Sequence, residues 1–217
     1  MIIHSRDDWG AKAPKSVTPR TPGSFLGTVV HWFGSPVASK SHAGCDDLLR
    51  GVQNAHMSNK EEGYVDIAYN MAFCPHGHAY TLRGINRQGG ANGTTQANHD
   101  YIAIVYMAGK GDLFPQPAEE ALTDLLHWAW DSGVGKIVRT HGSITGSECP
   151  GPLVKKYVDD KEYLTVPPKP KALRVDVVTK EFKLSDQVYK NPAVQARITR
   201  ALNSGFEVKL SPSKKGT

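Results

Sequence analysis

The 217-residue chain has no stretch that approaches the roughly 18 consecutive apolar residues a membrane-spanning helix requires. Its first residues, MIIHSRDDWG, lack the charged leader and apolar core of a secretory signal, so the expectation is a protein made in the cytoplasm without one. Cysteine is scarce: Cys45, Cys74 and Cys149 are an odd number and too few to staple a disulfide scaffold. At least one of them is therefore free, paired between chains or bound to a metal. Low-complexity tracts and internal repeats are also missing, which excludes a disordered or solenoid chain. With 39% hydrophobic residues the chain can bury a core, and its length suits one domain with an appendage.

Charge locates that appendage. Residues 1–168 carry 15 Lys/Arg against 17 Asp/Glu, whereas residues 169–217 carry 11 against 4, a net of +7. A basic tail on a near-neutral body suits an anionic surface such as nucleic acid, membrane or cell-wall polymer, and equally suits a solvated extension that maintains solubility. The proline-rich VPPKPK at 166–171 reads as a stiff spacer. The expected organisation is a body over 1–165, a linker at 166–171 and a basic extension over 172–217.

The body alternates strand and helix patterns. Residues 26–33, 67–73, 78–82, 101–107 and 136–141 read as strands, the 101–107 run YIAIVYM being apolar enough for a sheet centre. Residues 46–59 read as a helix with Leu48, Leu49, Val52, Ala55 and His56 on one face and Gly63 as its stop. Residues 117–131 read as a second helix, with Pro117 in its first turn, a stripe of Leu122, Leu125, Leu126 and Ala129, and Gly133 at its end. One more helix is expected at 191–203. The order predicts an α/β fold, a mixed central sheet covered by helices.

Nine histidines are many for this length, and most have plain explanations. His4 and His42 read as loop residues, and His56 and His127 as packed or capping residues of the two helices. His76 and His78 flank a turn and resemble a metal pair, but no third ligand stands nearby in sequence. His31 and His141 differ, because each lies at the C-terminal end of an apolar strand, where open α/β sheets present side chains to a crevice. Cys149 follows His141 across a loop long enough to fold back. Two imidazoles and one thiolate would hold zinc and leave a fourth position for water, as catalytic zinc sites do. The same positions also fit two core histidines and a buried cysteine, and spacing does not separate the two readings.

Seven segments, in order, are similar to one known family. They are SRDDWGA at 5–11, VVH at 29–31, VQNAHM at 52–57, DIAYN at 66–70, GHAYTLRG at 77–84, NHDYIAI at 98–104 and HGSITGSECPG at 141–151. Together they resemble the zinc-dependent N-acetylmuramoyl-L-alanine amidases, which include phage endolysins of the T7 lysozyme type and the animal peptidoglycan recognition proteins. The resemblance covers about residues 5–165. It implies one zinc per chain, held by His31, His141 and Cys149, with Tyr69 assisting hydrolysis of the amide between muramic acid and L-alanine. It also implies a monomer whose partner is bacterial peptidoglycan, without nucleic acid or membrane insertion. The expected role is that of a phage endolysin for host lysis, acting on the bacterial cell wall, with a bacterial housekeeping amidase as the near alternative.

The sequence departs from the family at two places. The T7-type enzymes carry a lysine two residues before the ligand cysteine; here the residue is Ser147, a hydrogen-bond donor without charge, followed by Glu148, which reads as a solvated carboxylate. Animal members have a threonine there. The family's substrate-groove histidine is replaced by Asn92; Asn98 and Arg83 are the other expected substrate contacts, Arg83 being equally open to a structural salt bridge. Where one branch uses a strand glutamate as base, this chain has Val105, which argues against that mechanism. Cys45 and Cys74 receive no role and are expected to be reduced and buried. The remaining alternatives are a non-catalytic peptidoglycan-binding module and a zinc peptidase cutting within the stem peptide.

Overall fold

All nine residues from Tyr101 to Gly109 are buried, because they lie between two apolar clusters. Ile102, Ile104, Tyr106 and Ala108 join one cluster, Val105 and Met107 the other, which is the alternation of a strand covered on both faces. The structure, a computed structural model, describes residues 1–37, 41–165, 181–182 and 209–210. The strands of the body are β1 (Ile2–His4), β2 (Gly27–Gly34), β3 (Met71–Phe73), β4 (His78–Thr81), β5 (Tyr101–Gly109) and β6 (Ile137–Thr140). Its helices are α1 (Cys45–Ser58), α2 (Thr95–Asp100), α3 (Gln116–Asp131), α4 (Gly142–Thr145) and α5 (Pro152–Asp159). The strands form one sheet in the order β1-β4-β3-β5-β2-β6. β3 and β4 are antiparallel, and the other neighbouring pairs are parallel. The mixed α/β fold read from the sequence is the one that forms.

Helix α3 covers one face. Ala118, Ala121, Leu122, Leu125, Leu126 and Ala129 recur at three- and four-residue steps and are buried against Phe73, Ile102, Ile104 and Tyr106. Each buried leucine contributes roughly 1.5–3 kcal/mol. α5 adds Val154, Tyr157 and Val158 to the same layer. The opposite face is covered by α1 together with Trp9 and Ile67, which cluster with Tyr80 of β4.

α1 packs much of its expected face, with Leu49 buried and Leu48 and Val52 against the same cluster, but Ala55 is exposed and Cys45 and Gln53 are buried as well. Gln53 goes inside because its amide is fully used. Its Oε1 accepts from Lys12 N at 2.9 Å, and its Nε2 donates to Asp66 Oδ1 at 2.7 Å and Lys12 O at 3.0 Å. The helix stops at Asn59 rather than Gly63, with the Asn59 N–H on the Ala55 and His56 carbonyls. The expected 67–73 strand is shorter: residues before Met71 are bent, held by Asp66 and Asn70 instead of a ladder. Asn70 is buried, with Oδ1 accepting from Ala103 N and Nδ2 donating to the Gly84 and Arg87 carbonyls. β1, α2, α4 and α5 were not expected from the sequence.

By contact the chain divides into two units, Met1–Lys171 and Ala172–Thr217. In the second, β7 (Glu181–Phe182) pairs in parallel with β8 (Lys209–Leu210). The proline-rich spacer at 166–171 and the helix expected at 191–203 lie outside the described residues.

Asp66 joins three segments: it accepts from Arg6 Nη1 at 2.9 Å, from Gln53 and from Ile67 N at 2.8 Å. Asp66→Ala strands those donors inside the protein and should lower unfolding stability by about 3 kcal/mol in urea titration. Lys155→Ala, which removes the exposed ion pair with Asp159, should cost no more than about 0.5 kcal/mol. Equal losses would remove the Asp66 network from the account of stability.

Candidate functional site

Three side chains that are 110 and eight residues apart in sequence meet at one end of the sheet. His31 lies on β2 opposite Val105 of β5, so both point to the face that α1 covers. His141 directly follows β6, and its N–H extends the ladder to Val30 O at 3.1 Å. Cys149 returns on the loop between α4 and α5, which is closed by Gly142 N–H on Cys149 O at 2.7 Å. Glycine is needed at 142 and 151. A Cβ on Gly142 would lie 2.3 Å from Ser147 O, and one on Gly151, whose φ is +84°, 2.3 Å from the Trp32 ring. The Cys149 sulfur accepts from Trp32 N at 3.4 Å.

One ligand atom from each of the three lies within 4.8 Å of the others. The Cys149 Sγ to His31 Nδ1 separation is 3.8 Å, and the two imidazole centroids are 4.5 Å apart. Sulfur and nitrogen on a tetrahedral zinc are about 3.6 Å apart. His141 Nε2 is buried and has no hydrogen-bond partner among the described residues. One thiol and two imidazoles, each bringing a donor atom to within 4.8 Å of the other two, are what a soft divalent cation would satisfy, so the donor set fits zinc.

Asn92 decides which nitrogen His31 presents. Its Nδ2 donates to the Ala97 and Tyr101 carbonyls, at 3.0 and 2.9 Å, which leaves Oδ1 to accept from His31 Nε2 at 2.9 Å. That bond puts the imidazole proton on Nε2 and the lone pair on Nδ1, toward Cys149. The expectation of a substrate contact at Asn92 is corrected here: the residue is fully buried and its amide is committed. Asn98 is half-buried, and its Oδ1 accepts from Asn92 N at 2.8 Å and holds this loop.

Electrostatics follow burial. Desolvation pushes the His31 pKa down to about 3, with the Asn92 hydrogen bond opposing and His141 adding to the fall. Burial lowers His141 as well, so both imidazoles are neutral and able to ligate near pH 7. Burial pushes the Cys149 thiol up to about 11, against the Trp32 N–H. A cation held by the cluster would supply the attraction that ionising this sulfur requires.

Tyr69 stands beside the cluster, its ring edge-on to His31 at 5.4 Å between centroids. Burial, then the neighbouring Cys149 and Tyr64, raise its pKa, so the hydroxyl remains a donor. Ser147 is exposed on the ligand loop, with its hydroxyl 3.0 Å from Thr145 Oγ1, and Glu148 is exposed beside it. Arg83 donates to the Ile67 and Gln88 carbonyls at 2.6 and 2.9 Å, clamping the segments on either side of Tyr69. Val105 is buried in the sheet centre and carries no base. A cleft of about 580 Å³ borders Trp32, Glu148 and Pro150 and continues over Leu113, Phe114 and Leu153. It adjoins the cluster without including its ligands.

Three other histidines, His4, His42 and His76, depart from the sequence reading. His4 is on β1 rather than in a loop, and it stacks on His78 and Tyr80. His42 starts a short 3-10 turn before α1. His76 does have further donors nearby: His42, Cys45 and Cys74 bring ligand atoms to within 4.8 Å of it and of one another. Sequence reasoning missed them because they arrive from two segments. The available signal was a pair of short motifs, HAGC at 42–45 and CPH at 74–76. His56 is packed as expected, accepting Ala68 N–H at 3.1 Å.

No protein-family model matches the chain. Over 152 residues it is 28% identical to peptidoglycan-recognition protein LB of Drosophila melanogaster, a match covering 68% of this chain. The chain spans 63% of that relative's length. A solved tyrosine-to-phenylalanine mutant of Drosophila PGRP-LB in complex with tracheal cytotoxin aligns with TM-score 0.65 and 26% identity, covering 72% of this chain and 92% of that one. Wild-type Drosophila PGRP-LB aligns with TM-score 0.65 and 25% identity, covering 78% and 98%. PGRP-LE, in complex with the same ligand, shares the fold at 22% identity and TM-score 0.64, covering 73% and 92%. The chain is homologous to PGRP-LB and has the fold of the peptidoglycan recognition proteins.

Replacing Asn92 frees the His31 ring to turn and to change tautomer. Asn92→Ala should weaken zinc binding by about 10–100-fold, as judged by competition with a chelator. Unchanged affinity in a folded variant would leave Asn92 with a packing role only.

Proposed function

From the kinship with peptidoglycan recognition proteins and the His31–His141–Cys149 cluster, we propose that the chain is a zinc-dependent N-acetylmuramoyl-L-alanine amidase. Its substrate is then bacterial peptidoglycan, and the bond cut joins the lactyl carbonyl of muramic acid to the nitrogen of L-alanine. The observation that carries the reading is the convergence of His31, His141 and Cys149, whose donor atoms lie within 4.8 Å of one another, with Tyr69 alongside. The complex of the PGRP-LB mutant with tracheal cytotoxin supports the substrate class.

Bound by His31, His141 and Cys149, zinc would supply Lewis acidity, polarising the scissile carbonyl and making water nucleophilic near neutral pH. The chain's own residues do the rest. Asn92 holds His31 in the ligating tautomer, and Trp32 N–H stabilises the ionised sulfur. The Tyr69 hydroxyl, kept protonated by burial, donates to the carbonyl oxygen as it gains charge. Ser147 can donate a hydrogen bond at the rim but brings no charge, so Tyr69 carries more of the stabilisation than it would beside a lysine.

A digest of purified peptidoglycan tests the reading. It should release new L-alanine amino groups and no new reducing sugars, and activity should disappear with a chelator and return with zinc. Cys149→Ser should abolish turnover while the protein still sediments with the wall, and Tyr69→Phe should slow turnover by about 100-fold. Amino groups other than that of L-alanine would indicate a stem-peptide peptidase. Wall binding without new ends would indicate a binding module.

Within this proposal the protein is a phage endolysin, monomeric, made in the host cytoplasm and active on the wall from within. The net charge of +7 over 169–217 suits retention on anionic wall polymers. Expression in a bacterium should therefore leave cells intact until the membrane is permeabilised and then lyse them. Removing 169–217 should reduce lysis further as ionic strength rises. Lysis without permeabilisation would refute the endolysin role.

A further inference from the structure

A second group of metal-type donors lies apart from the amidase cluster. His42 and Cys45 straddle the N-terminus of α1, and Cys74 and His76 lie on the turn from β3 to β4. The Cys45 Sγ is 3.6 Å from His76 Nδ1, and the Cys74 Sγ is 3.9 Å from His42 Nδ1. All four ligand atoms fall within 4.8 Å of one another, and both cysteines are buried and free of disulfide. We propose that His42, Cys45, Cys74 and His76 form a second zinc site, structural in kind.

The donor chemistry selects the metal and the role. Two thiolates and two imidazoles with sulfur–nitrogen edges near the 3.6 Å of a tetrahedron suit zinc, and four protein ligands leave no position for water. The protein also supports the sulfurs: the backbone N–H groups of His76 and His78 reach Cys74, and the Tyr80 hydroxyl reaches Cys45. A competing group, His4, His42 and His78, shares His42. There His4 Nε2 and His78 Nδ1 already hydrogen-bond each other at 2.9 Å, so those two imidazoles are mutually satisfied. Filled, the four-ligand site would pin the start of α1 to the β3–β4 turn.

The test is metal counting on the full chain purified under reducing conditions. Wild type should hold about two zinc ions per chain, and Cys149→Ser and Cys45→Ser/Cys74→Ser should each hold about one. Cys149→Ser reconstituted with cobalt should keep the thiolate-to-cobalt absorption of a tetrahedral site. Cys149→Ser decides the matter even if the double variant fails to fold, because it leaves the second group untouched. No zinc in that variant, or a Cys45–Cys74 disulfide that survives purification under reductant, would overturn the proposal. A wild type with one zinc, kept in Cys149→Ser and lost in Cys45→Ser/Cys74→Ser, would support the second site and sink the catalytic zinc instead.

Discussion

The hydrogen bond from His31 Nε2 to Asn92 Oδ1 is the interaction on which the site depends. A neutral imidazole has one lone pair, and the site works only if that pair lies on Nδ1, toward Cys149. Asn92 can impose this because its own amide cannot turn over: its two N–H groups are taken by the Ala97 and Tyr101 carbonyls. Those carbonyls stand at the junction of α2 and β5, so the central strand fixes the tautomer of a side chain on its neighbour. Asn98 and the Thr94 cap of α2 brace the same loop.

Asn70 does for Tyr69 what Asn92 does for His31. It sews the bent 66–70 segment to β5 and to the Gly84–Arg87 loop, so the tyrosine is presented by side-chain hydrogen bonds and not by a strand ladder. Asp66, Gln53 and Arg6 close the other end of the segment. Two buried asparagines and one buried carboxylate thus hold the ligand and the hydroxyl in place. The apolar layers on either side of the sheet keep these polar groups dry and their geometry rigid.

Periodicity made most of the frame legible. The β5 run and the α3 stripe could be read because their burial repeats at two and at three to four residues. The face of α1 is legible in Leu48, Leu49 and Val52, but not in Gln53, which is polar by type and buried by partners 13 and 41 residues away. α2, α4 and α5 are too short to display a period, and β1 is a three-residue strand. Spacing left His31, His141 and Cys149 open to two readings, and only the collinear resemblance joined them. Asn92 was assigned to the groove because its family position is there, and nothing local in sequence marks a partner 61 residues away. The donors around His76 were hidden for the same reason.

The three amidase-cluster residues are not held alike. His31 is within the parallel ladder, and His141 is joined to it by its own N–H on Val30 O. The spacing of the two imidazoles is therefore inherited from the distance between adjacent strands, about 4.8 Å, the stiffest length in the fold. Cys149 is carried by a loop between two short helices. The cysteine's place depends on single contacts, Gly142 N–H on its carbonyl and Trp32 N–H on its sulfur. The two histidines thus share one ladder with the core of the sheet, whereas the position of the sulfur rests on a short loop that glycines at 142 and 151 allow to close.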